Sequence, residues 1–249
     1  MSPHVSPVRI AILMPVFRDI SPVTHSSIIA LLARLGREGI AWSYASVVGS
    51  SILPSARAEL LSRFLDDPSA THALFVDADS GFDPTAVTRM VAAGVDVIGA
   101  PFARRSGKGH TVCGALPSPT EVVNGAVEVQ GIGMGCTLIS RATVEALIAA
   151  HPETVCDRDD GGKMWALFPT TPPPGRAAGA FFGEDIGFCH LVRGIGRKVW
   201  ALENAETVHV GTIEHRFALA DGRGASARPT TESDLQSLLR IAAMPNVHR

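Results

Sequence analysis

The chain has 249 residues, of which 46% are hydrophobic and 18% are charged, and its 22 Lys and Arg nearly balance its 24 Asp and Glu. This composition is typical of a globular protein and excludes a disordered, collagen-like or low-complexity chain, which would need fewer apolar residues or a strong compositional bias. The formal net charge of -2 also argues against a nucleic-acid partner, because proteins that bind nucleic acid gather Lys and Arg on one face.

The apolar runs of the sequence are short. The longest early one, from Val8 to Phe17, is interrupted by Arg9 and Pro15, whereas a membrane-spanning helix needs about 20 apolar residues. We therefore expect no transmembrane segment. The first residues lack the positive cluster and cleavage site of a secretory signal, which predicts a cytoplasmic protein. The four cysteines never form a CxxC pair, so neither a zinc site nor a redox motif is indicated.

Strand and helix patterns alternate four times in the first hundred residues. The predicted strands are Val8–Met14, Ala41–Val48, His72–Val76 and Val95–Ala100, and the predicted helices are Thr24–Leu35 (ended by Gly36), Pro54–Leu65 and Pro84–Ala93 (capped by Asp83). Such alternation predicts an α/β fold with a parallel sheet that carries helices on both faces.

The second half of the chain is less regular, and its short strands predict a mixed sheet. The predicted strands are Ala126–Gln130, Cys136–Ile139 and Lys198–Leu202, and the predicted helices are residues 141–150 (capped by Ser140), Glu184–Arg193 and Glu232–Ala243. Pro101–Thr120 and Pro169–Gly183 are rich in Gly and Pro and are expected to be loops, the second with the composition of a mobile active-site segment. Gly211–Arg228 is expected to be irregular. We expect one domain spanning residues 1–249.

The strongest candidate site is the Asp77-Ala78-Asp79 sequence, which follows a buried strand. Open α/β sheets bind ligands at the carboxyl ends of their strands. Two residues that lie two apart in an extended segment point the same way, so Asp77 and Asp79 are expected to face one crevice. Paired carboxylates with open positions favour Mg²⁺ or Mn²⁺ bound together with substrate phosphates. The alternative is that one aspartate caps a turn and the other is solvated.

Four further residues carry weaker signals. Glu184 and Asp185 open a helix, where acidic residues either stabilise the helix dipole or act as a general base or a group that holds a hydroxyl. His209, at a predicted strand end, is either a structural side chain or a ligand. Arg57, on the second predicted helix, is by default a solvated charge.

Seven segments occur in an informative order between Val8 and Gly211. They are Gly49-Ser50-Ser51, Ala56-Arg57, Thr71–Asp79, Asp96–Pro101, Gly131–Ile139, Gly183–Cys189 and Val208–Gly211. Together they resemble the motifs of GT-A glycosyltransferases of the family 2-like kind. The resemblance implies a parallel, Rossmann-like nucleotide-sugar half over about residues 1–100, continuous with a mixed-sheet acceptor half over about residues 101–249.

The resemblance also implies a role for each motif residue. Asp77 and Asp79 would form the DxD motif that holds Mn²⁺ or Mg²⁺ on the diphosphate, and His209 would complete the metal site. Arg57 and Ala78 would join the donor site, although Ala58 stands where the family often has an asparagine. Glu184 or Asp185 would face the acceptor hydroxyl, as a base or as a positioning group.

The expected activity is therefore that of a metal-dependent glycosyltransferase of the hexosyltransferase type, which moves a sugar from a nucleoside-diphosphate sugar to a hydroxyl of a saccharide, protein or small molecule. One alternative is a Mg²⁺-dependent phosphatase with an aspartate nucleophile. Two strand–helix units precede Asp77, and the usual Thr or Val is missing two residues after Asp79; both features disfavour this alternative. The other is a sugar-nucleotide-binding module without turnover, because fold does not imply function.

Overall fold

A computed structural model describes residues 7–103, 121–158, 160–171 and 183–211, together with the strands at 215–218 and 228–229. The strands are β1 (Arg9–Val16), β2 (Ala41–Val48), β3 (His72–Val76), β4 (Ser80–Phe82), β5 (Val97–Gly99), β6 (Val122–Val123), β7 (Ala126–Val129), β8 (Cys136–Ser140), β9 (Val155–Asp157), β10 (Lys163–Trp165), β11 (Val199–Leu202), β12 (Glu206–His209), β13 (His215–Ala218) and β14 (Arg228–Pro229). The helices are α1 (Pro22–Glu38), α2 (Leu53–Asp66), α3 (Pro84–Ala93), α4 (Arg141–Ala150) and α5 (Glu184–Gly194), with a 3₁₀ turn at Pro152–Thr154.

Eight strands form one sheet in the order β2-β1-β3-β8-β5-β11-β7-β6. The strands β2, β1 and β3 are parallel, and β5 is parallel to β11. Between β3 and β5 lies β8, antiparallel to both, with Val76 opposite Cys136. The prediction of an α/β fold, with a parallel half continuous with a mixed half, is confirmed. The position of β8 was not predicted. This strand comes from the second half of the chain, yet it lies between β3 and β5, which come from the first half.

Helices cover both faces of the sheet, as predicted, and alternate residues of β1 show why. Ile10 and Ile12 face α1 and α3, in a cluster with Leu31 and Met90, whereas Leu13 faces α2 in a second cluster that also includes residues of α4 and α5. Side chains of a strand alternate between the two faces of a sheet, so an apolar residue at every position is required when both faces are buried. The continuous apolar run of β1 follows from this packing.

The helix caps agree with the sequence except at the end of α1. The side chain of Asp83 accepts a hydrogen bond of 2.8 Å from the Thr85 N–H, and the side chain of Ser140 accepts one of 3.3 Å from the Thr143 N–H. The prediction that Gly36 ends α1 is wrong. The helix continues to Glu38 and ends at Gly39, whose φ of 67° is a left-handed conformation that suits glycine.

A second sheet of four strands, in the order β14-β13-β12-β4, was not predicted. Its strand β4 has only three residues and starts directly after the Asp77–Asp79 segment, so it offers no periodic pattern. Thr207 lies opposite Phe82 and His209 opposite Ser80 in the pairing of β12 with β4. The prediction that the whole of 211–228 is irregular is wrong where β13 pairs with β12. The sheet brings His209 to the end of β3.

Some predictions fall on parts of the chain that the structure does not describe. Residues 104–120, most of the 169–183 loop and the helix predicted at 232–243 lie outside the described residues. No helix among the described residues is long and apolar enough to cross a bilayer. Cys136 and Cys189 are buried, and Cys156 is exposed.

Candidate functional site

The Asp77–Asp79 segment forms a turn at the carboxyl end of β3. The Ser80 N–H donates to the Asp77 carbonyl at 3.1 Å, which closes the turn. The prediction that these residues are extended is therefore wrong, and the two aspartates have different partners. Asp77 pairs with a residue of α2, whereas Asp79 approaches a residue of β12.

Three backbone hydrogen bonds hold this turn in place. The Asp77 N–H donates to the Gly135 carbonyl at 3.2 Å, just before β8. The Ala78 carbonyl accepts from the Ser21 N–H at 2.8 Å, and the Asp79 carbonyl accepts from the Val210 N–H at 2.8 Å. Because segments on both sides fix the main chain, the turn presents its two carboxylates from a rigid support.

Asp77 forms an ion pair with Arg57, whose Nη2 donates to Asp77 Oδ1 at 2.8 Å. The Arg57 side chain is only 1% exposed, and its guanidinium carbon lies 5.6 Å from the centre of the Phe75 ring. The default expectation of a solvated arginine on a helix face is therefore wrong. A buried guanidinium requires charged partners, because an unpaired buried charge is expensive.

The second partner of Arg57 is Glu184, the first residue of α5. Arg57 Nε donates to Glu184 Oε1 at 3.2 Å. Glu184 is 127 positions away from Arg57 in the sequence, and Asp77 is 20 positions away. A carboxylate from each half of the chain is thus bound to one guanidinium, a contact that no local sequence pattern indicates.

Asp185 has a different environment from its neighbour Glu184. Its Oδ1 accepts a hydrogen bond of 2.7 Å from the Ile186 N–H. Burial, together with the charge of Glu184, raises the pKa of Asp185 to about 6, against the opposing effects of the Ile186 hydrogen bond and of Arg57. A carboxylate with a pKa near neutral is suited to accept and release protons, whereas Glu184 is committed to an ion pair.

His209 is oriented by the Pro101–Ala103 segment. Its Nδ1 lies 3.0 Å from the Ala103 carbonyl oxygen, and Phe102 packs edge-on against its ring at 6.0 Å between centroids. A carbonyl only accepts hydrogen bonds, so Nδ1 carries a proton and Nε2 of the neutral ring keeps its lone pair. That Nε2 lies 3.8 Å from Asp79 Oδ1, beyond hydrogen-bond distance.

This donor set fits a divalent cation in part. A carboxylate oxygen and an imidazole lone pair face each other, and the other ring nitrogen is fixed by a carbonyl, as in many metal-bound histidines. The other predicted ligand, Asp77, is bound to Arg57. Within the ranges that the structure describes, no group of three His, Cys, Asp or Glu side chains is gathered for a metal. The structure thus brings together Asp79 and His209 of the three predicted ligands.

Glycines in the resembling segments are explained by close packing. A Cβ added at Gly187 would overlap the Pro169 carbonyl oxygen. One added at Gly135 would lie 2.8 Å from Ser80 Oγ, on the residue that follows the aspartate turn. These glycines let α5 and the segment before β8 approach the site, so they are structural requirements of the site and need no ligand.

The aromatic support behind Arg57 was not indicated by the sequence. The Phe75 and Phe168 rings meet edge-on with centroids 5.5 Å apart, and Phe168 stacks on Phe188 at 5.1 Å. These residues come from β3, the segment after β10 and α5, and Phe75 and Phe188 are completely buried. The apolar wall lowers the local dielectric and so strengthens the ion pairs of Arg57.

Comparison with known proteins shows similarity of fold. No family profile matches the chain, and no curated protein matches it in sequence. The crystal structure of A197 from STIV is similar with a TM-score of 0.50 at 18% identity, over 90% of this chain and 96% of that one. A glycosyltransferase involved in the glycosylation of the major capsid of PBCV-1 has a TM-score of 0.34 at 14% identity, with 59% of this chain and 68% of that one covered. This TM-score is too low to support a conclusion. The chain shares its overall fold with A197, and its mixed α/β sheet is consistent with the GT-A-like class.

Proposed function

We propose that the protein is a metal-dependent glycosyltransferase that moves a sugar from a nucleoside-diphosphate sugar to an acceptor hydroxyl. The observation that supports this most is the connection of Asp77 and Glu184 through Arg57 at the ligand-binding edge of the sheet. A carboxylate suited to the donor and one suited to the acceptor are held side by side there, with Asp185 next in sequence.

On the donor side, Asp79 and His209 would hold Mn²⁺ or Mg²⁺, with Asp77 as a further oxygen ligand. The cation would act as a Lewis acid that takes up charge on the departing nucleoside diphosphate. The chain contributes a fixed histidine tautomer and a turn anchored through the Asp77, Ala78 and Asp79 main chain. Arg57, which pairs with Asp77, and Ala78, which lies in the turn, are on this donor side of the proposed site.

On the acceptor side, Asp185 is the better candidate for the base. It would accept the proton of the attacking hydroxyl at its carboxylate, since a pKa of about 6 leaves it ionised at neutral pH and still basic enough to bind a proton. Glu184 would remain charged and paired with Arg57. The two adjacent carboxylates therefore divide the roles that the sequence left open.

The test is a thermal-shift panel of nucleoside diphosphates and sugar nucleotides, with and without Mn²⁺. A ligand that binds only the folded protein stabilises it by about 2.7 kcal/mol at a hundredfold excess over its dissociation constant. We expect a shift that needs Mn²⁺ and disappears in Asp79→Ala. Asp157→Asn, on the exposed β9–β10 hairpin, is the control and should keep the shift.

Three other outcomes would contradict the proposal. Stabilisation by phosphomonoesters with Mg²⁺, but by no diphosphate, would favour the phosphatase. Stabilisation by a sugar nucleotide without release of nucleoside diphosphate in the presence of mixed acceptors would favour a binding module. A shift that persists in Asp79→Ala would place the ligand elsewhere.

A further inference from the structure

Arg57 is more deeply buried than either of its partners. Its side chain is 1% exposed, whereas Asp77 is 28% exposed and Glu184 is 16% exposed. Its third nitrogen, Nη1, is buried and has no hydrogen-bond partner among the residues that the structure describes. The guanidinium thus lies behind the two carboxylates, and the carboxylates are the groups that a ligand would meet first.

This arrangement does not favour a direct contact between Arg57 and a nucleotide. Two of the three guanidinium nitrogens are engaged, by Asp77 and by Glu184, and the remaining one is shielded from solvent. A phosphate would have to displace a carboxylate in order to reach the guanidinium. The anion would also meet the repulsion of both carboxylates on its way.

The Asp77–Arg57–Glu184 bridge instead offsets the repulsion between two like charges in the site. Asp77 and Glu184 carry like charges and are bound to the same guanidinium, so without that cation between them they would repel each other. Arg57 pairs with both carboxylates, so removing Arg57 would leave two like charges side by side, and removing either carboxylate would leave one more guanidinium nitrogen without its partner.

We propose that Arg57 is a positioning residue that holds the first turn of α5 against the end of β3, and so couples the charge at Asp77 to the placement of Glu184 and Asp185. The catalytic consequence rests on the proposed function. Asp185, the proposed base, follows Glu184 directly, so the bridge through Arg57 also fixes where that base lies.

The first experiment needs no ligand. Glu184→Gln is made in the wild-type chain and in an Arg57→Met chain, and thermal unfolding is measured for each. With Arg57 present, the substitution removes an ion pair and should lower Tm. With Arg57 absent, that ion pair is already missing and the substitution relieves the repulsion of Glu184 from Asp77, so the decrease in Tm should be much smaller or absent. An equal decrease in both backgrounds would overturn the proposal.

A second background covers the case in which Arg57→Met does not fold. Arg57→Lys keeps one positive charge but lacks the forked geometry that reaches two carboxylates. The decrease in Tm caused by Glu184→Gln should be smaller in this background than in the wild type, and an undiminished decrease would count against the bridge. Arg63→Gln is the matched control. Arg63 lies on the same helix, is exposed and pairs with Glu59, so its replacement should leave the effect of Glu184→Gln unchanged.

The second experiment separates positioning from nucleotide contact. In Arg57→Lys, the affinity for Mn²⁺ and for nucleoside diphosphates should stay within about threefold of the wild type, while kcat for transfer falls by about 10- to 100-fold because Asp185 is misplaced. A large loss of nucleoside-diphosphate affinity with an unchanged kcat would overturn the proposal. If the wild-type protein binds no nucleoside diphosphate, the proposed function fails, and the unfolding experiment still decides whether Arg57 is a bridge.

Discussion

The two sides of the site are built in different ways. On the proposed donor side, the Asp77–Asp79 turn is held by main-chain hydrogen bonds from three separate segments. On the proposed acceptor side, Glu184 and Asp185 lie in the first turn of a helix and depend on the Arg57 ion pair, on burial and on the packing of α5. Main-chain anchors tolerate side-chain substitution, whereas a helix end seated by side chains does not. The acceptor side should therefore be the more sensitive of the two to mutation and pH.

The largest effect is expected for the removal of the proposed base. Asp185→Asn should lower kcat for transfer by about 10²- to 10⁴-fold, the usual contribution of a general base, while nucleoside-diphosphate binding with Mn²⁺ stays intact. Single-turnover kinetics and thermal shift measure the two quantities separately. Loss of binding together with activity would mean that Asp185 supports the donor side, and the distinction between the two sides would fail.

The same residue predicts the pH dependence of stability. The pKa of Asp185 rises from 3.8 to about 6 on folding, so its contribution to stability is present at low pH and is lost as the pH increases through about 6. We expect Asp185→Asn to gain up to about 3 kcal/mol relative to the wild type between pH 4 and pH 7, since one pKa unit is about 1.4 kcal/mol. Denaturant titrations at several pH values measure this difference. A difference that is constant with pH would indicate an unshifted carboxylate.

On the donor side, His209 offers a test of intermediate size. His209→Phe keeps a ring for Phe102 to pack against but removes Nε2, so the affinity for Mn²⁺ should fall by about 10- to 100-fold. The turn itself should stay in place, because its hydrogen bonds come from the main chain, and Tm without metal should change little. Calorimetric titration with Mn²⁺ and a metal-free melt check the two statements. A large loss of Tm in the absence of metal would show that the donor side is not anchored by its backbone.

The contrast between the two sides also explains how much the sequence could predict. Apolar runs and helix spacing identified the central sheet and placed Asp77 and Asp79 at the carboxyl end of one of its strands, because burial on both faces imposes a local pattern. The turn geometry escaped prediction because Ser80–Phe82 is too short to show periodicity, and the pairing of β4 with β12 is a contact between distant segments. The burial of Arg57 was not predicted for the same reason, because its partners Glu184 and Asp77 lie far from it along the chain.

The smallest predicted effect tests how α5 is seated. Gly187→Ala would force a methyl group against the Pro169 carbonyl, a backbone atom that does not move aside as a flexible side chain would. We expect a loss of about 1–3 kcal/mol, the usual result of overpacking, which lowers Tm by about 2–4 °C per kcal/mol in a protein of this size.

Gly194→Ala is the matched control for this last substitution. Gly194 ends the same helix, and an added Cβ there would meet no atom of the described residues within 4 Å. Since alanine is a better helix former than glycine, this control should be neutral or stabilising. Because Gly187 lies two residues after Asp185, Gly187→Ala should also reduce kcat, whereas Gly194→Ala should not. Equal behaviour of the two variants would mean that the carboxylates of α5 are placed by Arg57 alone, without help from the packing of the helix.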